Sequence, residues 1–297
     1  MGGEMGYRRG MALVVAAAVL WSLMSLAIRL MGEAGTWQVL FYRSLALVPV
    51  LFAVIWRRSG GHPVARIMQA GWPGLIGGVG LVLAFAGAIF AIQSTSVANA
   101  VFLFAAAPLM TAVLAMLLLK EPVRPATWGA IILAAAGVFM MVREGLAMGA
   151  GLGNLAALLS SVGFAAFTVT LRWGRLADML PAVLIGGTLS IVAAGIVIAL
   201  RGESFALPLR SILIAFVMGA GLLGLGMALY TAGSRVVPAA EIGLLSMAEV
   251  MLAPLWVWVF LGETASGGTL LGGAILIVAI ALNAVTGMRH RPPPVTA

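Results

Sequence analysis

Cysteine is absent from the 297-residue chain, and histidine occurs only at His62 and His290. Without cysteine there is no disulfide frame, thiol nucleophile or iron–sulfur site. Two histidines in loop and tail contexts cannot build a zinc or haem site, so neither metal nor cofactor is expected. Charge is also scarce: 9% of residues are Asp, Glu, Lys or Arg, where a soluble domain carries about 25%. Nine acids stand against seventeen Lys and Arg, giving a net charge of +8. The basic residues do not cluster beyond Arg8–Arg9 and Arg57–Arg58, which speaks against a nucleic-acid partner. What fills the chain is apolar, at 63%. A soluble core of this size needs a polar skin that this composition cannot supply. An ordinary cytosolic enzyme, a disordered regulator and a coiled coil are excluded. An integral protein of the lipid bilayer is left.

Apolar runs recur at 11–31, 36–56, 72–93, 97–119, 126–142, 153–173, 181–200, 210–232, 238–261 and 268–288. Most are close to the 20 or so residues that cross a bilayer as a helix. No alternating pattern suggests a β-barrel. The first run follows Arg8 and Arg9 but lacks a small-residue cleavage site, so it is read as a retained helix rather than a signal peptide. With ten spans and a cytoplasmic N-terminus, twelve cations face the cytoplasm. They are Arg8, Arg9, Arg57, Arg58, Arg66, Lys120, Arg124, Arg172, Arg175, Arg235, Arg289 and Arg291. Arg29, Arg143, Arg201 and Arg210 face the other side, and Arg43 lies within a span. The split places both termini inside at the cytoplasmic membrane. Residues 289–297 read as a disordered cytoplasmic tail.

The two halves resemble each other at an offset of about 142 residues. Ile28-Arg29-Leu30 in span 1 answers to Leu171-Arg172-Trp173 in span 6. Leu119-Lys120-Glu121-Pro122 after span 4 answers to Leu261-Gly262-Glu263-Thr264 after span 9. Repeats at 8–145 and 150–288, each of five spans, must sit inverted in the membrane. That architecture marks many secondary transporters, with substrate bound between the repeats near the midplane.

This ordered set of features resembles the drug/metabolite transporter superfamily, and within it the EamA-type ten-helix exporters. The carrying residues are Trp21-Ser22, Arg43-Ser44, the run from Ala91 to Pro108, the acidic turns at Glu121 and Glu263, and Gly129 and Gly272. The whole is also similar to the aromatic amino-acid and metabolite exporter branch. The resemblance implies an all-α membrane fold and a cavity lined by helices 1, 3, 4, 6, 8 and 9. One departure stands out. The family often carries Glu-Pro in both helix 4 and helix 9, whereas here Ala107-Pro108 keeps only the proline and Glu249-Val250 only the acid.

Ionisable groups deep in a bilayer are costly and mark function by default. Arg43, Glu241 and Glu249 qualify. Glu249 reads either as a carboxylate that binds an ammonium or accepts a proton, or as a structural acid paired with Arg43. Glu241 suits the start of its helix, where a carboxylate complements the N-terminus. Arg43 reads as a contact for a substrate carboxylate or as an anchor. Pro108 and Pro254 interrupt spans 4 and 9, as hinges or as static kinks. Glycine stripes such as Gly77-Gly78-x-Gly80 lie in continuous apolar helix and suit close packing rather than a nucleotide loop. Trp21, Phe85, Phe102, Phe164, Phe167 and Tyr230 offer apolar walls, and Ser22, Ser25, Asn99, Ser160, Ser161 and Ser246 uncharged polar contacts.

These features predict a secondary transporter that exports amino acids or related metabolites by alternating access. Its substrate is a small molecule, and a monomer is sufficient. A multidrug or lipophilic-cation exporter on the same scaffold is the alternative, since one acid among aromatics suits such a cation. A membrane-embedded enzyme needs clustered His, Asp or Cys, which the chain lacks.

Overall fold

The computed structural model describes residues 6–176, 178–237 and 239–288; the side chains of 239–244, 246, 287 and 288 are not described. The expected tail at 289–297 lies outside the described residues. All regular structure among the described residues is helical. A bilayer imposes this, because it offers no partner to an unpaired backbone group and only a helix satisfies its own.

In chain order the long helices are α1 (Tyr7–Leu30), α2 (Thr36–Arg58) and α3 (Gly71–Ser94), then α4 in two pieces, Val97–Phe104 and Ala107–Leu119. The remainder are α5 (Pro125–Ala147), α6 (Gly151–Trp173), α7 (Leu180–Leu200), α8 (Leu209–Gly233), α9 (Ala239–Leu261) and α10 (Gly267–Met288). Nine of them are long and apolar enough to cross a membrane, and α9 supplies the tenth helix with an apolar stretch over Met247–Leu261. The connections are short. A six-residue helix, Pro63–Met68, occupies the link between α2 and α3 that the sequence suggested was loop, with Pro63 starting its first turn.

Two helices depart from regularity. In α4 the break at 105–106 precedes Pro108, which has no N–H to give the Phe104 carbonyl. Ser161 of α6 compensates: its hydroxyl donates to the Leu103 carbonyl at 2.8 Å and lies 3.4 Å from that of Phe104. Helix α9 corrects the expectation for Pro254, because it runs through that residue without interruption. Among the described residues no hydroxyl bonds the Val250 carbonyl that Pro254 leaves free, so nothing holds a second opening there. In α8, Val217–Leu225 widens into a π-helix, which the sequence did not signal.

Helix packing reveals a two-fold plan. Helix α2 packs on α7, and α5 on α10. Helix α1 packs on α9 as α6 packs on α4, and α3 on α6 as α8 on α1. Exchanging each helix with the one five places later returns the same set of pairs. With five helices in each repeat, the repeats cross the bilayer in opposite senses.

Glycine sets the closeness of these crossings. A Cβ built on Gly80 would sit 2.8 Å from the Gly163 carbonyl oxygen, and one on Gly163 would sit 2.6 Å from that of Gly80. Gly137 and Gly272 repeat this reciprocal contact between α5 and α10, at 2.5 and 2.6 Å. Lipid tails are as apolar as leucine, so helices gain little from burial alone and must approach closely to profit from dispersion.

Candidate functional site

Between the repeats lies a cavity of about 310 Å³. Its wall is drawn from α1, α3, α4, α6, α8 and α9, and from α2 through Arg43. A groove of about 510 Å³ runs between α4, α9 and α10, but its walls include the exposed apolar residues Met251, Leu255 and Trp258. It faces the perimeter where lipid tails pack, and the interior cavity is the candidate site.

Arg43 is its most unusual element. The residue is 3% exposed, yet its Nε and Nη2 have no hydrogen-bond partner among the described residues. Its guanidinium stands 4.2 Å over the ring of Phe85, a cation–π contact that offsets part of the desolvation. Its backbone is pinned by α8: the Arg43 carbonyl oxygen lies where a Cβ on Gly219 would be, so only glycine fits at that point of the π-helix. A buried charge without a partner is expensive in any protein and more so in a bilayer. Glu249 lines the same cavity from α9, and no ion pair joins it to Arg43.

The other candidates separate into wall and backing. Trp21, Ser25, Phe85 and Phe164 line the cavity, with Phe164 44% exposed. Tyr230 stacks against Trp21 at 5.3 Å between ring centroids, and Gly226 makes room for the indole. Phe167 is 2% exposed and packs behind Phe164 at 5.8 Å. Ser22 is fully buried: its hydroxyl donates to the Val19 carbonyl at 2.7 Å and accepts from Trp256 Nε1 at 2.9 Å, tying α1 to α9. Asn99 is buried between α4 and α6, where its amide donates to Thr95 Oγ1 at 3.0 Å and to Asn154 Oδ1. Phe102 fills the space left by Gly273 of α10 and lines the perimeter groove. The side chains of Glu241 and Ser246 lie outside the described residues.

Sequence reasoning missed the aliphatic part of the wall, which includes Met24, Ile28, Leu223 and Met227. No signal marks them, because leucine-like residues face lipid, core and cavity alike. Ser160 and Ser161 also border the cavity, but their hydroxyls are spent on the carbonyls of Ala84, at 2.6 Å, and Leu103. The wall is therefore apolar and aromatic, with one cation and one carboxylate.

Comparison with known proteins bears on this arrangement. The EamA-like transporter family matches the chain twice, over residues 8–143 and 151–285. Solute carrier family 35 member G1 from Homo sapiens is 24% identical over 293 residues, covering 91% of this chain and 77% of that protein. A chain of known crystal structure superposes with a TM-score of 0.67 at 20% identity, covering 96% of this chain and 98% of the other, which is a likeness of fold.

Proposed function

This chain belongs to the EamA-like transporter family, and from that premise we propose that it exports amino acids, or related small zwitterionic metabolites, across the cytoplasmic membrane by alternating access. The observation that carries the reading is the pairing of opposite needs in one cavity. Arg43 lacks a partner and Glu249 lacks a cation, and apolar and aromatic walls surround both. A zwitterion with an apolar side chain meets all three conditions. Its carboxylate neutralises Arg43, its ammonium meets Glu249, and its side chain lies against Phe85, Phe164 and Trp21. The volume is at the low end for ligand pockets, which suits a single small solute.

The inverted repeats supply the mechanism. Two like halves facing opposite ways can exchange conformations, so that one site opens to each side in turn. Pro108, beside the break in α4, serves as a hinge in this reading. The excess of cations on one side of the ten-span layout supports cytoplasmic termini. A monomer is enough for this cycle, which calls for no cofactor and no nucleic-acid partner.

The test is counterflow in liposomes holding the purified protein, with a panel of amino acids and the amines obtained by removing their carboxyl groups. Saturable counterflow of amino acids, and not of the amines, is expected. Equal transport of the amines would overturn the zwitterion reading in favour of a lipophilic-cation exporter, for which Glu249 and the aromatic wall would suffice. Glu249→Gln, assayed with an imposed pH gradient, tests coupling. Loss of gradient-driven flux, with counterflow weakened by the missing ammonium contact but still measurable, is the outcome expected of a proton switch, and full gradient-driven flux would remove that role.

A further inference from the structure

Two ion pairs join the repeats, and they occupy equivalent positions. Arg29, in the last turn of α1, holds Glu263 just beyond α9, with Nε 3.0 Å and Nη2 3.2 Å from the two carboxylate oxygens. Arg172, in the last turn of α6, holds Glu121 just beyond α4. The offset of about 142 residues relates Arg29 to Arg172 and Glu121 to Glu263. Each pair thus takes its arginine from one repeat and its glutamate from the other. The backbone repeats as well. The residue before each glutamate has positive φ, 56° at Lys120 and 68° at Gly262, which turns the chain sharply so that the acid points back at the helix ends. Because the repeats are inverted, the two pairs lie at opposite faces of the membrane.

They are not in the same state. Arg29 also donates to the Thr95 carbonyl at 2.8 Å, and Glu263 accepts the N–H of Val97 at 2.6 Å, at the start of α4 where helix N–H groups lack partners. The α1 end, the α3–α4 turn and the α9–α10 turn are thereby clasped together, with both charged side chains 25% exposed. The Arg172–Glu121 pair is 50% and 40% exposed, and among the described residues neither side chain has a further bond. The packing agrees with this difference. Both pieces of α4 pack on α6; the first packs also on α9 and α10, and the second on α5.

We infer that the two pairs are a matched set of latches, one at each face of the membrane, and that their balance sets which face the cavity opens to. In this structure the Arg29–Glu263 latch is the more buried and shuts the face where α1 ends; the Arg172–Glu121 latch, at the face where α6 ends, is the more exposed. The inference rests on the alternating-access reading. It adds the groups that bias the two states, and it gives a role to the acidic turns that the cavity leaves unused.

The absence of cysteine makes the test direct. Ala88→Cys puts a single thiol on the cavity wall, and a membrane-impermeant maleimide applied to vesicles of either orientation reports which face reaches it. The parent Ala88→Cys protein should label mainly from the face where α6 ends. Adding Arg29→Ala should raise labelling from the α1 face relative to the other by about fivefold, the scale of a partly exposed ion pair together with the backbone bonds it organises. Adding Arg172→Ala should move the ratio the opposite way. The exchange Arg29→Glu with Glu263→Arg restores the ion pair but not the bonds to Thr95 and Val97, so it should return the ratio part of the way to the parent value, which separates a latch from a folding defect. Unchanged ratios, or shifts of both single variants in the same direction, would overturn the latches while leaving alternating access intact. A cavity thiol reached from neither face would overturn alternating access itself, and the latches with it.

Discussion

Arg43 carries a charge that no described side chain neutralises, a condition that only Glu249 shares among the residues of the site. An arginine kept for stability would be paired, since a lone buried charge costs several kcal/mol. Arg43→Met keeps the contact with Phe85 through the thioether and removes the desolvation cost. The melting temperature should hold or rise, while amino-acid counterflow falls more than about tenfold. A fall in both would mark Arg43 as structural. At this scale the sequence revealed residue type and depth in the span but not direction. Trp21 and Phe164 came to the wall, whereas Phe167 and Tyr230 fell behind it. The reason is that both faces of these helices are apolar, so no polar stripe records which one looks inward. Arg43 and Glu249 were legible because charge inside a bilayer has few places to go.

At the scale of the element, α4 and its C-terminal turn are the instructive parts. The break before Pro108 is stabilised from outside by Ser161, so the proline alone does not create it. Pro108→Ala restores the missing donor and should let the helix close over 104–107. Transport should slow by more than about tenfold with a melting temperature changed by only a few degrees, since a single helix bond is worth about 1 kcal/mol. Unchanged transport at normal expression would reject the hinge. The turn beyond α4 holds Lys120 at φ 56°, a conformation that favours glycine, and the equivalent position beyond α9 is Gly262. Lys120→Gly should therefore leave the fold intact and raise stability by up to about 1 kcal/mol, read as a small increase in melting temperature. The acidic turns and their spacing were readable from the sequence because they repeat. The π-helix in α8 and the unbroken path of α9 were not. Both depend on what stands opposite, such as the Arg43 carbonyl against Gly219, and a sequence lists neighbours along the chain only.

For the whole molecule, ten helices and their division into two repeats were legible because hydropathy must match bilayer thickness and because the markers recur in order. Which helix touches which was not, since apolar surfaces are interchangeable until a glycine decides how near two backbones come. The α5–α10 crossing makes this testable. Gly137→Val forces apart backbones that meet at the Gly272 carbonyl and should cost about 1–3 kcal/mol, seen as a lowered melting temperature in detergent. Gly129, which has open space around its Cα, should accept alanine without loss.

The reciprocal glycine contacts of Gly80 with Gly163 and of Gly137 with Gly272 each join one repeat to the other rather than helices within a repeat. This has a consequence for biosynthesis. Ribosomes deliver the first repeat to the bilayer before the second has been made, with its glycine faces bare and Arg43 not yet roofed by Gly219. Insertion and assembly are then separate events, and only the second creates the cavity. The three-residue link at 148–150 keeps the late half within reach of the early one, so the chain acts as its own tethered partner.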